Sequence, residues 1–336
     1  MRVGATPDAP GAAALMLKSS RTHVCACLAV AAVAYGACNL AHAGSTEVAK
    51  AADGLELLVL GSGGPGATGR AASSYLVMVK GVPQILVDAG PGSFARLGEA
   101  KVSLESLDTV LLTHLHVDHA AELPGIIKAR AVSAAGPIQF DVYGPAGRAA
   151  QGEAAAFPST ERFMTLLFGP QGAFAYLKDF AAPVTFKVVN LPRPGSGGEP
   201  AVIRSRNDLA ISAIAGHHGD APSIIYRIDY HGQSLVFSGD IDASGLPALA
   251  KIAAGASLLV FDAVVLDPPA SPAVLYGLHS PPQAIGVLAE NSHVRTLLLS
   301  HLSPAVDQHR TAVTASIARH YAGTVKFAAD GVRLQP

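Results

Sequence analysis

A histidine-rich string that follows a short apolar run constrains the fold of this chain more than any other feature. The string consists of His114, His116, Asp118 and His119, with one apolar residue in each gap. The run before it, at residues 109–113, is short, β-branched and apolar, which predicts a buried strand. The string therefore lies on the loop that leaves a strand.

The spacing of the string favours a metal centre on extended backbone. Two ligands on one helix face are three or four residues apart, whereas His114 and His116 are two apart and point to the same side of an extended segment. Asp118 and His119 follow as the chain turns, where they can face a second ion. Imidazole and carboxylate groups bind Zn²⁺ and similar ions, so the string predicts a two-metal centre. The alternative is a polar, histidine-rich surface turn.

Residues 1–43 are predicted to be an export signal. Residues 24–40 are almost wholly apolar, follow two cations, and precede an A-x-A cleavage pattern, so Gly44 would be the first mature residue. Met16 is the predicted translation start, because the residues before it are atypical of a signal. The predicted location is periplasmic or secreted. A retained membrane anchor is the alternative, although the apolar run is slightly short for a span.

Cysteine content and charge exclude two kinds of site. All three cysteines, Cys25, Cys27 and Cys38, lie in the predicted leader, so the mature chain has no thiolate ligand and no disulfide. It keeps 21 Lys and Arg against 24 Asp and Glu, a net charge of −3. A nucleic-acid-binding protein is expected to carry a basic surface instead. We therefore expect no nucleic-acid partner, and no membrane contact beyond the leader.

The mature chain alternates strand-like and helical segments. Strands are predicted at residues 55–60, 75–79, 85–88, 109–113, 138–143, 211–215, 224–229, 235–238, 258–261, 296–299 and 324–327. Helices are predicted at residues 123–132, 246–254, 281–291 and 308–322, and residues 158–180 carry a Phe-rich helical face. This alternation in both halves predicts a layered α/β sandwich. The glycine-rich loop at residues 61–66 lacks the nucleotide-binding patterns and is predicted to be a tight strand exit near the site.

Further ligand-type side chains come directly after other predicted strands. These residues are His217 and His218, Asp240, and His301. Strand ends at one edge are where α/β scaffolds carry their chemistry, so we expect these side chains to join the histidine string. The spacing alone leaves His217 and His218 as alternatives.

Several stretches of the chain resemble the motifs of one superfamily. They are residues 59–63, 86–90, 113–119 with 123–125, 142–145, 218–222, 238–240 and 299–304. Over about residues 55–335 the chain resembles the metallo-β-lactamase-fold hydrolases, most of all their ribonuclease Z-like and arylsulfatase-like branch. The resemblance implies an α/β protein with a four-layer αββα sandwich, formed as a single domain by residues 44–336.

The resemblance also implies the metal ligands. It assigns His114, His116 and His218 to one ion, Asp118, His119 and His301 to another, and Asp240 to a bridge between them. His218 is preferred to His217 because it stands four residues before Pro222, as in related sequences. The implied cofactors are two divalent ions, with Zn²⁺ expected and Mn or Fe as alternatives.

His279 is the implied proton donor. It begins a His-Ser-Pro string where ribonuclease Z-like proteins carry His-Ser-Thr, whose histidine protonates the leaving group and is oriented by an acidic residue. Asp262 occupies the similar acidic place, and Asp118 would accept a proton from the nucleophile. The rest of the family's His-Glu-Ala-Thr string has no match in this sequence. The alternative is therefore that His279 is a surface histidine before a helix.

The implied reaction is metal-assisted hydrolysis of an ester. Phosphodiester hydrolysis has the strongest motif support because it includes His279. The family's tRNA-clamping arm lies between the third metal histidine and the bridging aspartate, yet His218 and Asp240 are only 22 positions apart. We therefore expect a small-molecule ester substrate. Sulfate-ester hydrolysis is the main alternative, and β-lactam hydrolysis or an inactive metal-binding scaffold are weaker ones. A homodimer is compatible with the sequence.

Overall fold

The computed structural model describes residues 53–66, 68–152, 155–180, 182–191 and 198–336, and the predicted leader lies outside them. The described strands are β1 (Leu55–Gly61), β2 (Ser74–Val79), β3 (Val82–Val87), β4 (Thr109–Leu111), β5 (Ile138–Pro145), β6 (Val184–Leu191), β7 (Ala201–Arg206), β8 (Leu209–Ala215), β9 (Ile224–Tyr230), β10 (Gln233–Phe237), β11 (Leu258–Asp262), β12 (Thr296–Ser300), β13 (Thr324–Phe327) and β14 (Arg333–Leu334). The described helices are α1 (Ser93–Ala100), α2 (Val117–Ala120), α3 (Leu123–Val132), α4 (Thr160–Phe168), α5 (Leu246–Ile252), α6 (Pro282–Asn291), α7 (Pro304–Gln308) and α8 (Arg310–Ala318). Short 3₁₀ helices lie at Ala175–Asp179 and Ala273–Gly277.

The strands form two mixed sheets. The first has the order β14-β1-β2-β3-β4-β5-β6 and the second the order β13-β12-β11-β10-β9-β8-β7. Strands β3 to β6 run parallel to one another, and so do β10 to β13. Each sheet therefore has a run of strands whose carboxyl ends meet at one edge, where loops can assemble a site.

Burial along the strands shows how the layers are stacked. In β1, Leu57 and Val59 pack into the core between the sheets, whereas Leu58 and Leu60 pack on the outer face. That outer face is covered by α3 and α4, and α5, α6 and α8 cover the outer face of the second sheet. Strands covered on both faces are apolar throughout. The predicted four-layer αββα sandwich is confirmed.

Most predicted elements match the structure, whereas α1, β6, β7 and β14 lie in segments for which the sequence predicts no element. α3 and β13 have the predicted bounds, and the other predicted strands differ by a few residues at their ends. Two predicted helical regions are each divided: residues 308–322 into α7 and α8, and residues 158–180 into α4 and a 3₁₀ helix. Of the Phe-rich face, Phe163, Phe174 and Phe180 pack against the core, whereas Leu166 is exposed. No described helix has both the length and the apolar content that crossing a bilayer requires.

Candidate metal centre

The histidine string lies where the sequence predicts it, after β4. His116 has extended backbone, as predicted, and the turn that follows is the single-turn helix α2, which carries Asp118 and His119. Asp240 comes shortly after β10, and His301 directly after β12. His218 comes three residues after β8. The structure thus brings together all seven of the predicted ligands at one edge of the sandwich.

One set of side chains, which we name the first ligand group, consists of His114, His116 and His218. One ring nitrogen from each lies within 4.8 Å of the others. His114 Nε2 and His116 Nδ1 are 3.0 Å apart. Two nitrogens that bind the same tetrahedral Zn²⁺ at about 2.0–2.1 Å are separated by roughly 3.3 Å. The rings of this group therefore already face a common point.

The second ligand group consists of Asp118, His119, Asp240 and His301, whose ligand atoms also lie within 4.8 Å of one another. His301 Nε2 is 3.1 Å from Asp118 Oδ2 and 3.4 Å from Asp240 Oδ2. The carboxylate of Asp240 also faces the first group, with Oδ2 3.7 Å from His218 Nε2 and 4.0 Å from His114 Nε2. Asp240 is therefore placed between the two groups, as a bridging ligand must be.

Hydrogen bonds behind the cluster fix three of the imidazole rings. His119 Nδ1 donates to Asp88 Oδ2 at 2.8 Å, and His218 Nδ1 donates to the carbonyl of Leu278 at 2.9 Å. Asp88 also accepts hydrogen bonds from the backbone N–H and the hydroxyl of Thr113, and His114 Nδ1 lies 3.2 Å from that hydroxyl oxygen. In each ring the other nitrogen, Nε2, is left to bind a metal.

A glycine makes room for the ring of His301. A Cβ atom placed on Gly64 would lie 2.8 Å from His301 Cε1, closer than side chains approach one another. His301 itself has a left-handed backbone, with φ 52°, and its ring stacks on His119 with a centroid distance of 5.1 Å. The prediction that the glycine-rich loop is a tight strand exit near the site is therefore confirmed.

The charges of the cluster favour a cation. Burial alone would lower the pKa of His119, but the carboxylates of Asp240 and Asp88 outweigh burial and raise this pKa well above its ordinary value. Burial would raise the pKa of Asp240, yet His301 and His119 hold it well below its ordinary range. Asp240 is thus an ionised carboxylate that is almost fully buried. A buried anion needs positive charge nearby.

Two buried polar atoms of the second ligand group indicate whether a metal ion fits there. Among the described residues, His119 Nε2 and Asp240 Oδ1 have no hydrogen-bond partner, although both are shielded from solvent. The two atoms are 3.5 Å apart. Unpaired buried polar atoms are rare in native proteins and call for an explanation such as an ion. A divalent cation between these atoms would satisfy both, so the residues fit the metals that the fold implies.

His279 and Asp262 form a buried pair beside the cluster. His279 Nδ1 donates to Asp262 Oδ2 at 2.7 Å. Burial opposes the charge of His279, but Asp262 outweighs it and raises the pKa of the imidazole. The ring lies 5.3 Å from that of His218 and 5.7 Å from that of His301, between centroids. His279 is therefore a buried, oriented histidine rather than the surface residue of the alternative.

The remaining histidines lie away from the cluster. His217 has a half-exposed side chain, and its Nδ1 contacts Asp242 Oδ2 at 2.7 Å instead of facing the first ligand group. His231, His293, His309 and His320 are exposed, as their polar contexts predict. Of the two adjacent candidates, the structure places His218 with the other ligands.

Sequence reasoning missed the residues that hold the ligands. Asp88 lies in a stretch that resembles the family, but nothing in its spacing marks it as a partner of His119. The carbonyl of Leu278 has no sequence signal, because every residue carries a carbonyl. Phe157 was also missed as an individual residue, and its ring lies 6.0 Å from that of His116, between centroids.

Comparisons with known proteins agree with this geometry. The family model described as "Beta-lactamase superfamily domain" matches residues 84–302. A protein named ribonuclease Z from Mycobacterium marinum is 31% identical over 302 residues, which cover 84% of this chain and 98% of that protein. The chain therefore covers nearly the whole length of this relative.

Two solved structures share the fold. Human tRNase Z, short form, has a TM-score of 0.61 at 20% identity, and the match covers 83% of this chain and 98% of that one. The metallo-β-lactamase fold protein YhfI from Bacillus subtilis has a TM-score of 0.59 at 19% identity, covering 84% and 100%. The chain belongs to the metallo-β-lactamase superfamily of hydrolases, in its ribonuclease Z-like branch, and its fold implies binding of divalent metal.

Proposed function

We propose that the chain is an exported, dinuclear metal-dependent phosphodiesterase that acts on small esters. The observation that carries this proposal is the placement of the His279–Asp262 pair beside the seven clustered ligands. A metal cluster alone serves many hydrolases of this superfamily. A buried histidine with its own carboxylate beside the cluster adds a proton donor, which hydrolysis of an ester with a poor leaving group requires.

The ligand groups define where the ions would bind. His114, His116 and His218 would hold one ion and Asp118, His119 and His301 the other, with Asp240 shared. Five imidazoles and two carboxylates form a donor set that suits Zn²⁺ and is also compatible with Mn or Fe. When bound, two such ions supply positive charge that stabilises the transition state and a hydroxide-like nucleophile at neutral pH.

The chain's own groups would then move the protons. The carboxylate of Asp118 is partly exposed and lies 3.1 Å from His301, so it would accept a proton from the attacking water. His279 holds a proton on the ring nitrogen that does not contact Asp262 and delivers it to the departing alkoxide oxygen. Asp262 fixes the tautomer and orientation of His279 through the hydrogen bond to Nδ1.

The short segment between His218 and Asp240 supports a small substrate. It contains only β9 and β10, which pair in an antiparallel hairpin with Tyr230 opposite Gln233. No arm is inserted between these two strands. Together with the net negative charge of the mature chain, this compact segment argues against a clamped nucleic acid as the substrate. The name ribonuclease Z carried by the relatives leaves precursor tRNA as the competing substrate.

The reaction is tested with purified chain loaded with Zn²⁺. We expect about two ions per chain and hydrolysis of bis-p-nitrophenyl phosphate. Turnover of p-nitrophenyl sulfate at a much higher kcat/KM would assign the chain to sulfate-ester hydrolysis instead. Cleavage of a precursor tRNA at a higher kcat/KM than that of the small diester would identify the chain as a nuclease instead. Loss of all ester turnover in fully loaded protein would rule out the proposal.

Export is tested separately, in the native cells. We expect the protein in the periplasmic or secreted fraction, with Gly44 as the first residue found by N-terminal sequencing. A protein that keeps residues 16–43 and sediments with membranes would instead carry a retained anchor.

A further inference from the structure

The rings of the ligand histidines are held in different ways. His114, His119 and His218 each use one ring nitrogen to contact a hydroxyl, a carboxylate or a carbonyl behind the cluster. His301 is buried and wedged between Gly64 and the ring of His119. His116 is half-buried, and among the described residues its Nε2 has no hydrogen-bond partner. No hydrogen bond from the described residues thus orients this ring through Nε2.

The ring of Phe157 lies beside that of His116. Its ring centroid is 6.0 Å from that of His116, at an interplanar angle of 48°. The guanidinium of Arg148 lies 5.3 Å from the centroid of the same phenyl ring. Arg148 and Phe157 also face each other through two backbone hydrogen bonds, of 3.0 and 2.8 Å. The phenyl ring is therefore held from its backbone and by a cation.

Arg148 connects this pair to the loop that carries His218. Its Nε donates to the carbonyl of Asp220 at 2.9 Å, and one Nη is 3.7 Å from the carboxylate of the same residue. The same Nη donates to the carbonyl of Ala155 at 3.2 Å. Asp220 is two residues after His218, within a turn closed by a bridge between His218 and Ala221. One guanidinium thus joins the segment before α4 to the turn that holds another ligand of the same group.

We propose that Phe157 and Arg148 are positioning residues that fix the ring of His116 for metal binding, in place of a hydrogen bond. The inference rests on the proposed dinuclear centre, of which it concerns only the first ligand group. Phe157 restricts the rotation of the imidazole by packing, and Arg148 holds Phe157 and the turn after His218 at a fixed separation. The pair touches neither Asp118 nor His119, so its effect should be confined to one ion.

The test measures metal affinity directly. The affinities of both sites for Zn²⁺ are determined by competition with a chromophoric chelator, and the visible spectrum of the Co²⁺-loaded protein reports ligand geometry. Loss of a group behind a metal ligand typically weakens metal binding about 10- to 100-fold. We expect Phe157→Leu to weaken one site by about tenfold and to change the Co²⁺ spectrum, because leucine keeps the apolar volume but not the flat ring.

Further variants distinguish a positioning role of these residues from a general loss of protein stability. Phe157→Tyr keeps the ring and should bind both ions as the wild type does, whereas Arg148→Gln should weaken the same site as Phe157→Leu. The matched controls are Tyr176→Leu, an exposed aromatic residue away from the cluster, and Arg162→Gln, an exposed arginine on α4. Both controls should leave the two affinities unchanged.

The measured affinities either support or overturn the positioning role of Phe157 and Arg148. Wild-type affinity at both sites in Phe157→Leu, or equal weakening of both sites, overturns the inference while leaving the proposed function standing. If Phe157→Leu fails to fold, Arg148→Gln takes its place, and unchanged affinities there overturn the inference. A wild-type chain that binds fewer than two ions overturns the proposed centre, and the inference with it.

Discussion

The two ligand groups differ in the charge that surrounds them. The first consists of three imidazoles, held by a hydroxyl, a carbonyl and the phenyl ring of Phe157. The second contains the carboxylate of Asp118 and has that of Asp88 behind His119. Asp240 faces both groups. Because negative charge is concentrated on the second group, we expect it to hold a divalent ion more tightly and the first group to lose its ion at lower chelator concentration.

The largest expected effect comes from the residue that the two groups share. Asp240→Asn removes the charge between them, so we expect loss of bound metal from both groups and a fall in kcat/KM of about a thousandfold or more. Metal content by elemental analysis and kinetics on bis-p-nitrophenyl phosphate provide the measurements. Asp229→Asn is the matched control, because that carboxylate pairs with Arg227 and should leave both ions in place. Full metal content in Asp240→Asn would contradict the bridging role.

The next effect concerns the residue that lies beside both groups. His279→Ala should slow hydrolysis of a diester with a poor leaving group, such as diphenyl phosphate, by about 10²- to 10⁴-fold, because no proton reaches the alkoxide. A p-nitrophenolate leaving group needs little protonation, so bis-p-nitrophenyl phosphate should be affected far less. Metal content should stay unchanged, as it should in the exposed control His293→Ala. Equal slowing of the two substrates would refute a role as acid.

A smaller effect tests the cause of the difference between the groups. Asp88→Asn removes a negative charge behind His119 but keeps an oxygen that accepts from the N–H of Thr113. We expect the affinity of the second group to fall about 10- to 100-fold and that of the first to change little. The order in which the two ions leave during chelator titration should then become less distinct. An unaltered titration curve would show that Asp88 does not strengthen the second group.

The smallest expected effect is that of His217→Ala, which is compared with the variant of the adjacent histidine, His218→Ala. His217→Ala should retain both ions, because its side chain contacts Asp242 and is half-exposed. His218→Ala should lose the ion of the first group. Elemental analysis of the two purified variants, side by side, gives the answer. Metal loss in His217→Ala alone would exchange their assignments.

The site could be predicted from the sequence because several of its ligands come within three residues of the end of an apolar strand. His114, Asp240 and His301 stand at such positions, and the parallel order of β10 to β12 places two of them at one edge. Family resemblance then resolved His218 from His217, which spacing alone had left open. The residues behind the ligands could not be predicted, because a carbonyl such as that of Leu278 is chosen by packing and not by residue type.

Two of the missed elements, both edge strands, have a common physical cause. β7 ends its sheet, and its residues are exposed or half-buried and include two arginines. β6 ends the described order of the first sheet and alternates weakly, with Lys187 and Asn190 among its residues. Edge strands carry polar side chains that discourage pairing with other molecules, so their hydrophobic pattern is faint. α1 was missed because it is short and buries only Ser93 and Leu97.

The contact between Asp118 and His301 joins residues 183 positions apart, one from a loop after β4 of the first sheet and one from the loop after β12 of the second. An ion bound there cross-links the two halves of the sequence, and the unfolded chain cannot offer the same pocket. Such a ligand adds to the free energy of unfolding in proportion to the logarithm of its concentration, by about 2.7 kcal/mol at one hundred times its dissociation constant. The thermal midpoint of this protein should therefore rise with the concentration of free divalent metal around it, so that the lifetime of the folded chain depends on the same ions as its chemistry.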